Sequence, residues 1–263
     1  MIVDINAFFG KIPYWPIPCH TRDQVLAHLA GTGITHPILM STRGVFVNCQ
    51  DGNAETLQAV SEIGKDRLHG FTVSPMFQDR VQAEIEIAVK NGAKSIRLFP
   101  LNHSFTLKNR AFFEVLCPAA LRYGLPIQIS YRLFMNWSLG TVPFPEIADV
   151  ARAYPQNVFI ICGPNYLKEL EEVQQIMFAS DHCCLEISCI RQYGALAGLV
   201  KTVGADRLFL GTGFPFQQAA PVVATVMNAE ISETDRSKIL YANAVRVFHL
   251  DEPRELAASP PTT

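Results

Sequence analysis

No stretch of this 263-residue sequence approaches the roughly 20 consecutive apolar residues that a membrane-spanning helix requires. Charge is sparse at 17%, Lys and Arg are scattered, and the formal net charge is −2. A nucleic-acid-binding face needs clustered basic residues, so that class is excluded. No CxxC pair occurs among the seven cysteines, at positions 19, 49, 117, 162, 183, 184 and 189. Adjacent Cys183 and Cys184 point to opposite faces of a strand, so a structural zinc cluster has no ligand spacing to use. Long linkers, charge runs and low-complexity segments are missing too, so nothing divides the chain. The opening MIVDINAFFG lacks the basic start and long apolar stretch of a signal peptide. Cysteines set inside apolar strands are the usage of a reducing cytosol, and a cytoplasmic protein is expected.

What is present is a large core, with hydrophobic content of 49%. Short apolar strands alternate with helices. The strands read as Ile2–Asn6, with an aromatic and proline-rich loop over Phe8–Cys19 after it, then Pro37–Met40, Arg67–Pro75, Lys94–Phe99, Pro126–Tyr131, Val158–Cys162, Cys183–Ser188 and Arg207–Leu210. The helices read as Arg22–Ala30, Asn53–Ile63, Gln78–Lys90, Lys108–Arg122, Phe144–Ala153, Leu167–Phe178, Tyr193–Val203, Pro221–Asn228 and Glu233–Val247. Thr21 with Gln24 three residues on predicts an N-cap. Pro118 marks an interruption of its helix. Eight strand–helix alternations predict parallel strands closed as a (β/α)₈ TIM barrel, with a doubly wound open sheet as the alternative. Residues 1–250 are expected to form one domain and 251–263 a disordered tail.

The most informative stretch is Gly204–Phe216, GADRLFLGTGFPF. It reads as a turn, a short strand, and a Gly211-Thr212-Gly213 loop at the strand's C-terminal end, where α/β barrels place their chemistry. It resembles the last strand of the amidohydrolase-related family, the group that includes aminocarboxymuconate-semialdehyde decarboxylase. Similar family wording runs along the chain: Asp4–Gly10, Gly52-Asn53, Arg67–Phe71, Gly92–Leu98, Gly124–Ile127, Tyr154-Pro155 and Tyr241–Phe248. The resemblance implies an amidohydrolase-like barrel, a small-molecule substrate and, by family habit, a homodimer.

The family's metal ligands do not carry over. Its first-strand histidines fall on Asn6 and Phe8, its fifth- and sixth-strand histidines on Ser130 and Gly163, and its eighth-strand acid on Gly213. A divalent ion needs imidazole or carboxylate lone pairs at about 2.0–2.2 Å, which Phe and Gly lack. No cofactor and no catalytic metal are therefore expected at the usual place.

The polar residues at the strand ends are Asn6, Arg43, Arg97, Ser130, Arg132, Cys162, Asn165, Glu186, Ser188 and Arg191. Convergent arginines would suit a small anionic ligand through bidentate pairing, with Asn6, Arg43, Arg97, Ser130, Arg132, Asn165 and Arg191 as its binding set. The other reading of Arg97 is an internal pair with a carboxylate such as Glu186. Glu186 alternates with Cys184 and Ser188 on one face of its strand. A buried carboxyl there has a raised pKa, suited to general acid–base work, or sits in a salt bridge. His103, on the loop after the fourth strand, is the histidine placed to act as a base. Cys162 precedes a helix N-terminus that could activate a thiol. Phe8-Phe9, Tyr14-Trp15 and Phe134–Trp137 would cover the mouth or form a subunit interface.

Three functions fit these residues. One is a metal-independent enzyme performing hydrolysis, lactone opening or decarboxylation on a small anion. Another is a catalytically inactive homologue that binds a small molecule or serves as a partner subunit. The third places a metal elsewhere, on Glu186, His103 and a cysteine.

Overall fold

The computed structural model describes residues 1–62, 68–133 and 140–250. Its strands are β1 (Val3–Phe9), β2 (His36–Ser41), β3 (Gly70–Thr72), β4 (Ser95–Leu98), β5 (Ile127–Ser130), β6 (Phe159–Cys162), β7 (Cys183–Glu186) and β8 (Leu208–Phe209). β1 pairs with β2, and β3 to β8 form one continuous sheet, with every pairing parallel. Two sets of hydrogen bonds close the ring. The Leu39 N–H donates to the Leu68 carbonyl at 3.0 Å, joining β2 to the chain entering β3. The Ile5 N–H donates to the Leu210 carbonyl at 3.0 Å, and the Phe8 N–H to the Phe214 carbonyl at 2.8 Å, joining β1 to the chain leaving β8. Closure removes the sheet edges, which excludes the open doubly wound alternative. The fold is a (β/α)₈ barrel.

Strand alternation sorts the side chains into two environments. Phe71, Ile96, Leu98, Ile127, Ile129, Phe159, Ile161 and Leu185 face outward into the helix layer. Ile38, Ile160, Cys184 and Phe209 face inward and pack with Phe248 at the end where the strands begin. Cys183 and Cys184 fall in different clusters, as their adjacency requires. All seven cysteines are free. Among the described residues no helix is long and apolar enough to cross a membrane.

The helix at Arg22–Gly31 begins with the expected reciprocal cap, Thr21 and Gln24. Three local expectations need correction. β1 runs on to Phe9, so Phe8 and Phe9 are strand residues and not loop. The helix Arg110–Arg122 continues through Pro118. Pro118 and Glu114 are both exposed, so the Glu114 carbonyl that proline cannot bond is open to water. The final helix is not uniform: Glu233–Ser237 is α, Lys238–Ala242 is π, and Asn243–Val247 is α again. There the Ile239 carbonyl accepts the Leu210 N–H at 3.1 Å, which ties the last helix to the end of β8. The expected start of the third strand at Arg67, the Phe134–Trp137 aromatics and the 251–263 tail lie outside the described residues.

The loop after β2 folds into a short helix, Arg43–Phe46, crossed by the helix Cys49–Ser61 at two glycines. A Cβ on Gly52 would lie 2.1 Å from the Gly44 Cα and N. Gly52→Ala must therefore push backbone from backbone. The expected outcome is a loss of roughly 3 kcal/mol of stability, read as a lowered urea midpoint.

Candidate active site at the barrel mouth

Arg97 projects from β4 into the barrel and is 2% exposed. Its Nη1 donates to the Ala7 carbonyl at 3.0 Å. Its Nη2 donates to the Ile5 and Ile38 carbonyls at 2.8 and 2.6 Å, and its Nε to Gln128 Oε1 at 3.2 Å. Gln128 Nε2 adds a second bond to the Ile5 carbonyl at 3.0 Å. The β1 register shifts between Asp4 and Ala7, and this irregularity leaves strand carbonyls free to be met from inside. Burial pushes the guanidinium down to about 10, so it stays charged at neutral pH. Neither sequence expectation for Arg97 describes this arrangement. Its partners are backbone oxygens, not a carboxylate, and its planar fork is already occupied.

Two acids are buried beside this cation. Glu186, fully enclosed at the end of β7, accepts the Ser188 N–H at 2.8 Å and lies 2.8 Å from Ser188 Oγ. Burial pushes its carboxyl up to about 8, against hydrogen bonds from Ser188 and Asn6. It is neutral at pH 7. Asp4 accepts from the Asn6 N–H, the Thr212 N–H and Thr212 Oγ1 at 2.9, 2.9 and 2.5 Å. Burial raises its pKa while those bonds hold it down. The chain after β8 passes so close that a Cβ on Gly211 would meet Glu186 Oε1 at 2.5 Å. Glycine is required there.

Above the polar layer the mouth is filled by rings. Phe8 meets Phe216 edge-on at 5.0 Å and lies 6.2 Å from Phe99, with Met40, Val45 and Leu133 buried around them. Beneath lies a cavity of about 10 Å³, lined by Asn6, Arg97, Gln128, Ser130, Arg132 and Cys162. That is room for about one water molecule.

The sequence-derived set is only partly gathered. Asn6, Arg97, Ser130 and Arg132 line the small cavity, and Glu186 lies behind Asn6. Arg132 is paired with Glu169 at 2.5 Å, and Glu169 also accepts the Asn165 N–H at 2.7 Å. Asn165 itself turns its carbonyl to Gln192. Arg43 is exposed and faces Asp51 at 3.4 Å, while exposed Arg191 bonds Gln217. The expected convergence of arginines therefore reduces to Arg97 and Arg132, because strand-end loops splay outward from the axis. His103 bonds the Gly44 carbonyl at 2.9 Å and has Cys49 Sγ 3.9 Å from its other nitrogen. It does not line the cavity, and burial lowers its pKa. The Cys162 thiol is held well up by burial rather than activated. Sequence reasoning missed Asp4, Gln128 and Thr212. The only signal was spacing: Asp4 precedes Asn6 by two residues, and Gln128 precedes Ser130 by two, each on one strand.

The family's metal does not fit this donor set. Phe8 is packed among rings, and Asn6 is bound to Glu186. A Cβ on Gly163 would lie 2.6 Å from the Arg132 carbonyl oxygen, so no ligating side chain can stand there. Among the described residues no group of three or more His, Cys, Asp or Glu is placed to hold an ion. Glu186, His103 and a cysteine form no such group among the described residues.

A family model described as amidohydrolase matches residues 5–250. Solved structures share the fold at low identity. The dihydroxybenzoic acid decarboxylase from Polaromonas sp. JS666, with bound manganese and 2-nitroresorcinol, is 16% identical with a TM-score of 0.74, covering 97% of this chain and 99% of that one. The 2,6-dihydroxybenzoate decarboxylase from Rhizobium gives 15% and 0.75, covering 94% and 98%. The 5-carboxyvanillate decarboxylase from Sphingomonas paucimobilis gives 14% and 0.73, covering 95% and 99%. A search of curated proteins finds no match.

The neutral Glu186 has a consequence for stability. Its folded pKa, about 8, stands above the ordinary 4.5. The folded state therefore holds the proton more tightly, and this contribution is complete below 4.5 and lost as pH rises toward 8. Denaturation midpoints should fall between about pH 5 and pH 8 in the native protein. Glu186→Gln, which cannot titrate, should flatten that slope.

Proposed function

The chain belongs to the amidohydrolase family, and from that premise we propose that it is a binding member, one that has given up metal-assisted turnover at the barrel axis. One observation carries this reading. Phe8, at a position where the family resemblance implies a histidine, is packed in a ring cluster with Phe99 and Phe216 above the polar layer of the barrel. A Lewis acid and an activated water both need lone-pair donors and open space beside them. Among the described residues no group of three or more His, Cys, Asp or Glu is gathered there, and the cavity beside Asn6 and Ser130 is about 10 Å³. What the chain retains is a rigid barrel with polar loops at the strand ends, which suits recognition of a small organic acid.

A metal-independent enzyme is the second reading, and Glu186 favours it. A carboxyl with a pKa near 8 is protonated at neutral pH and can give a proton to a carbanion or leaving group. The decarboxylases that share the fold act on hydroxylated benzoates, so the substrate would be an aromatic acid. Against this reading, Glu186 is enclosed by Gly211, Ser188 and Asn6 and does not line the small cavity.

Protein incubated with excess manganese or zinc and then desalted should carry far less than one equivalent of metal. It should release no carbon dioxide from 2,6-dihydroxybenzoate or 5-carboxyvanillate. Stoichiometric metal with turnover would overturn the binding reading. Metal-free turnover that Glu186→Gln abolishes would establish the second.

A further inference from the structure

The loops after β1 and β2 enclose a cleft of about 700 Å³ on the rim of the strand-end face, walled on its far side by the helix Cys49–Ser61. Its size is that of a small-molecule site. The cradle is rigidly built. Gly10 has φ +113°, and a Cβ there would lie 2.3 Å from Thr42 Oγ1. Thr42 Oγ1 in turn donates to the Lys11 carbonyl at 2.9 Å, and the Gly10 N–H donates to the His20 carbonyl at 2.7 Å. The two loops are thus fixed to each other and Lys11 is held at the edge.

The charges lining the cleft are mostly internally matched. Arg22 pairs with Asp23 at 2.8 Å and Glu62 at 2.6 Å, and Arg43 pairs with Asp51 at 3.4 Å. Two lining charges remain without an ion-pair partner among the described residues: Lys11 and Glu55. Glu55 is not loose. Ser41, fully buried at the end of β2, donates its hydroxyl to Glu55 Oε2 at 2.6 Å and accepts the Arg43 N–H at 3.0 Å. The carboxylate is oriented and half-buried, and its other oxygen makes no hydrogen bond among the described residues. The same lining also carries half-buried Phe46 and exposed Val47.

One positive group and one oriented negative group that share a cleft with apolar side chains are complementary to a zwitterion. We propose that this cleft binds a molecule with a free ammonium and a free carboxylate around an apolar side chain, an α-amino acid or a short peptide. Glu55 takes the ammonium, Lys11 the carboxylate, and Phe46 and Val47 the side chain. This extends the binding reading above by moving the ligand from the barrel axis to the rim.

The test is calorimetry on the full chain with L-phenylalanine and L-leucyl-L-leucine, the two arms separating free amino acid from peptide. Saturable binding of at least one is expected. Lys11→Ala and Glu55→Gln should each weaken it roughly tenfold or more, with melting temperatures near that of the native protein. Phenethylamine, which lacks the carboxylate, and 3-phenylpropanoate, which lacks the ammonium, should bind native protein similarly poorly, and they decide the matter if either variant fails to fold. Failure of both zwitterions to bind, or equal binding by folded variants, overturns the cleft assignment. Metal-dependent turnover would overturn the axial reading instead and leave the cleft result standing.

Discussion

A single guanidinium sits where the barrel axis would otherwise be open, and its hydrogen bonds govern much of what surrounds it. Arg97 bridges β4 to β1 and β2 through three carbonyl oxygens and to β5 through Gln128. These bonds cross the ring at the seam where β1 is irregular and pairs with both neighbours. A buried cation is tolerated only when its donors are met, and here four bonds use four of the five guanidinium N–H groups without a carboxylate in contact. That has an electrostatic corollary. Asp4 and Glu186 act on Arg97 at a distance and do not bond it. Glu186 therefore lacks the close counter-charge that would hold it ionised, and burial sets its protonation.

The occupied axis and the residues found where the family resemblance implies metal ligands are two aspects of one packing solution. Phe8 illustrates this. Its ring lies 5.1 Å from the Arg97 guanidinium carbon, within cation–π range. The same ring anchors the mouth cluster against Phe99 and Phe216. A histidine at this position would have to point its lone pair into a space bounded by a cation below and apolar rings around it. Gly163 follows the same logic, since the Arg132 backbone occupies the space its side chain would need. Restoring one ligand by substitution would not restore the site, because the volume has been filled by neighbours that depend on one another.

Much of the architecture was legible in the sequence. Eight strand–helix alternations and the Thr21–Gln24 cap follow from local chemistry and are present, whereas the strand expected over Cys183–Ser188 stops at Glu186 and Ser188 turns back to bond it. The candidate site was less legible, for reasons particular to its residues. Arg97 bonds backbone carbonyls, which carry no sequence signature, and those carbonyls are exposed by an irregularity in β1 that no residue type announces. Phe8 and Phe9 read as loop because a proline-rich stretch follows, yet barrel pairing with Phe214 extends the strand through them. The rim arginines Arg43 and Arg191 read as convergent because strand ends were equated with the axis. Loops carry them outward, where Asp51 and Gln217 engage them. Pro118 misled in the opposite direction, since an exposed carbonyl makes its missing hydrogen bond inexpensive.

The polar groups of the barrel differ in accessibility, and the proposed binding role rests on that difference. Glu186 has the protonation state of a general acid but no approach: Gly211 is already in contact distance of it, and the adjoining cavity holds about one water. An acid can transfer a proton only to an atom within hydrogen-bond reach. Admitting a substrate would require displacing Phe8, Phe99 and Phe216 together, and with them the ring that covers Arg97. Opening the rim cleft requires nothing of the kind. Lys11, on the loop after β1, and Glu55, on the helix Cys49–Ser61, line space that is already there, beside the contacts of Gly10, Thr42 and Ser41. A fold does not dictate its chemistry. In this chain the strand-end loops still present charge to solvent, while the axis beneath them has become core.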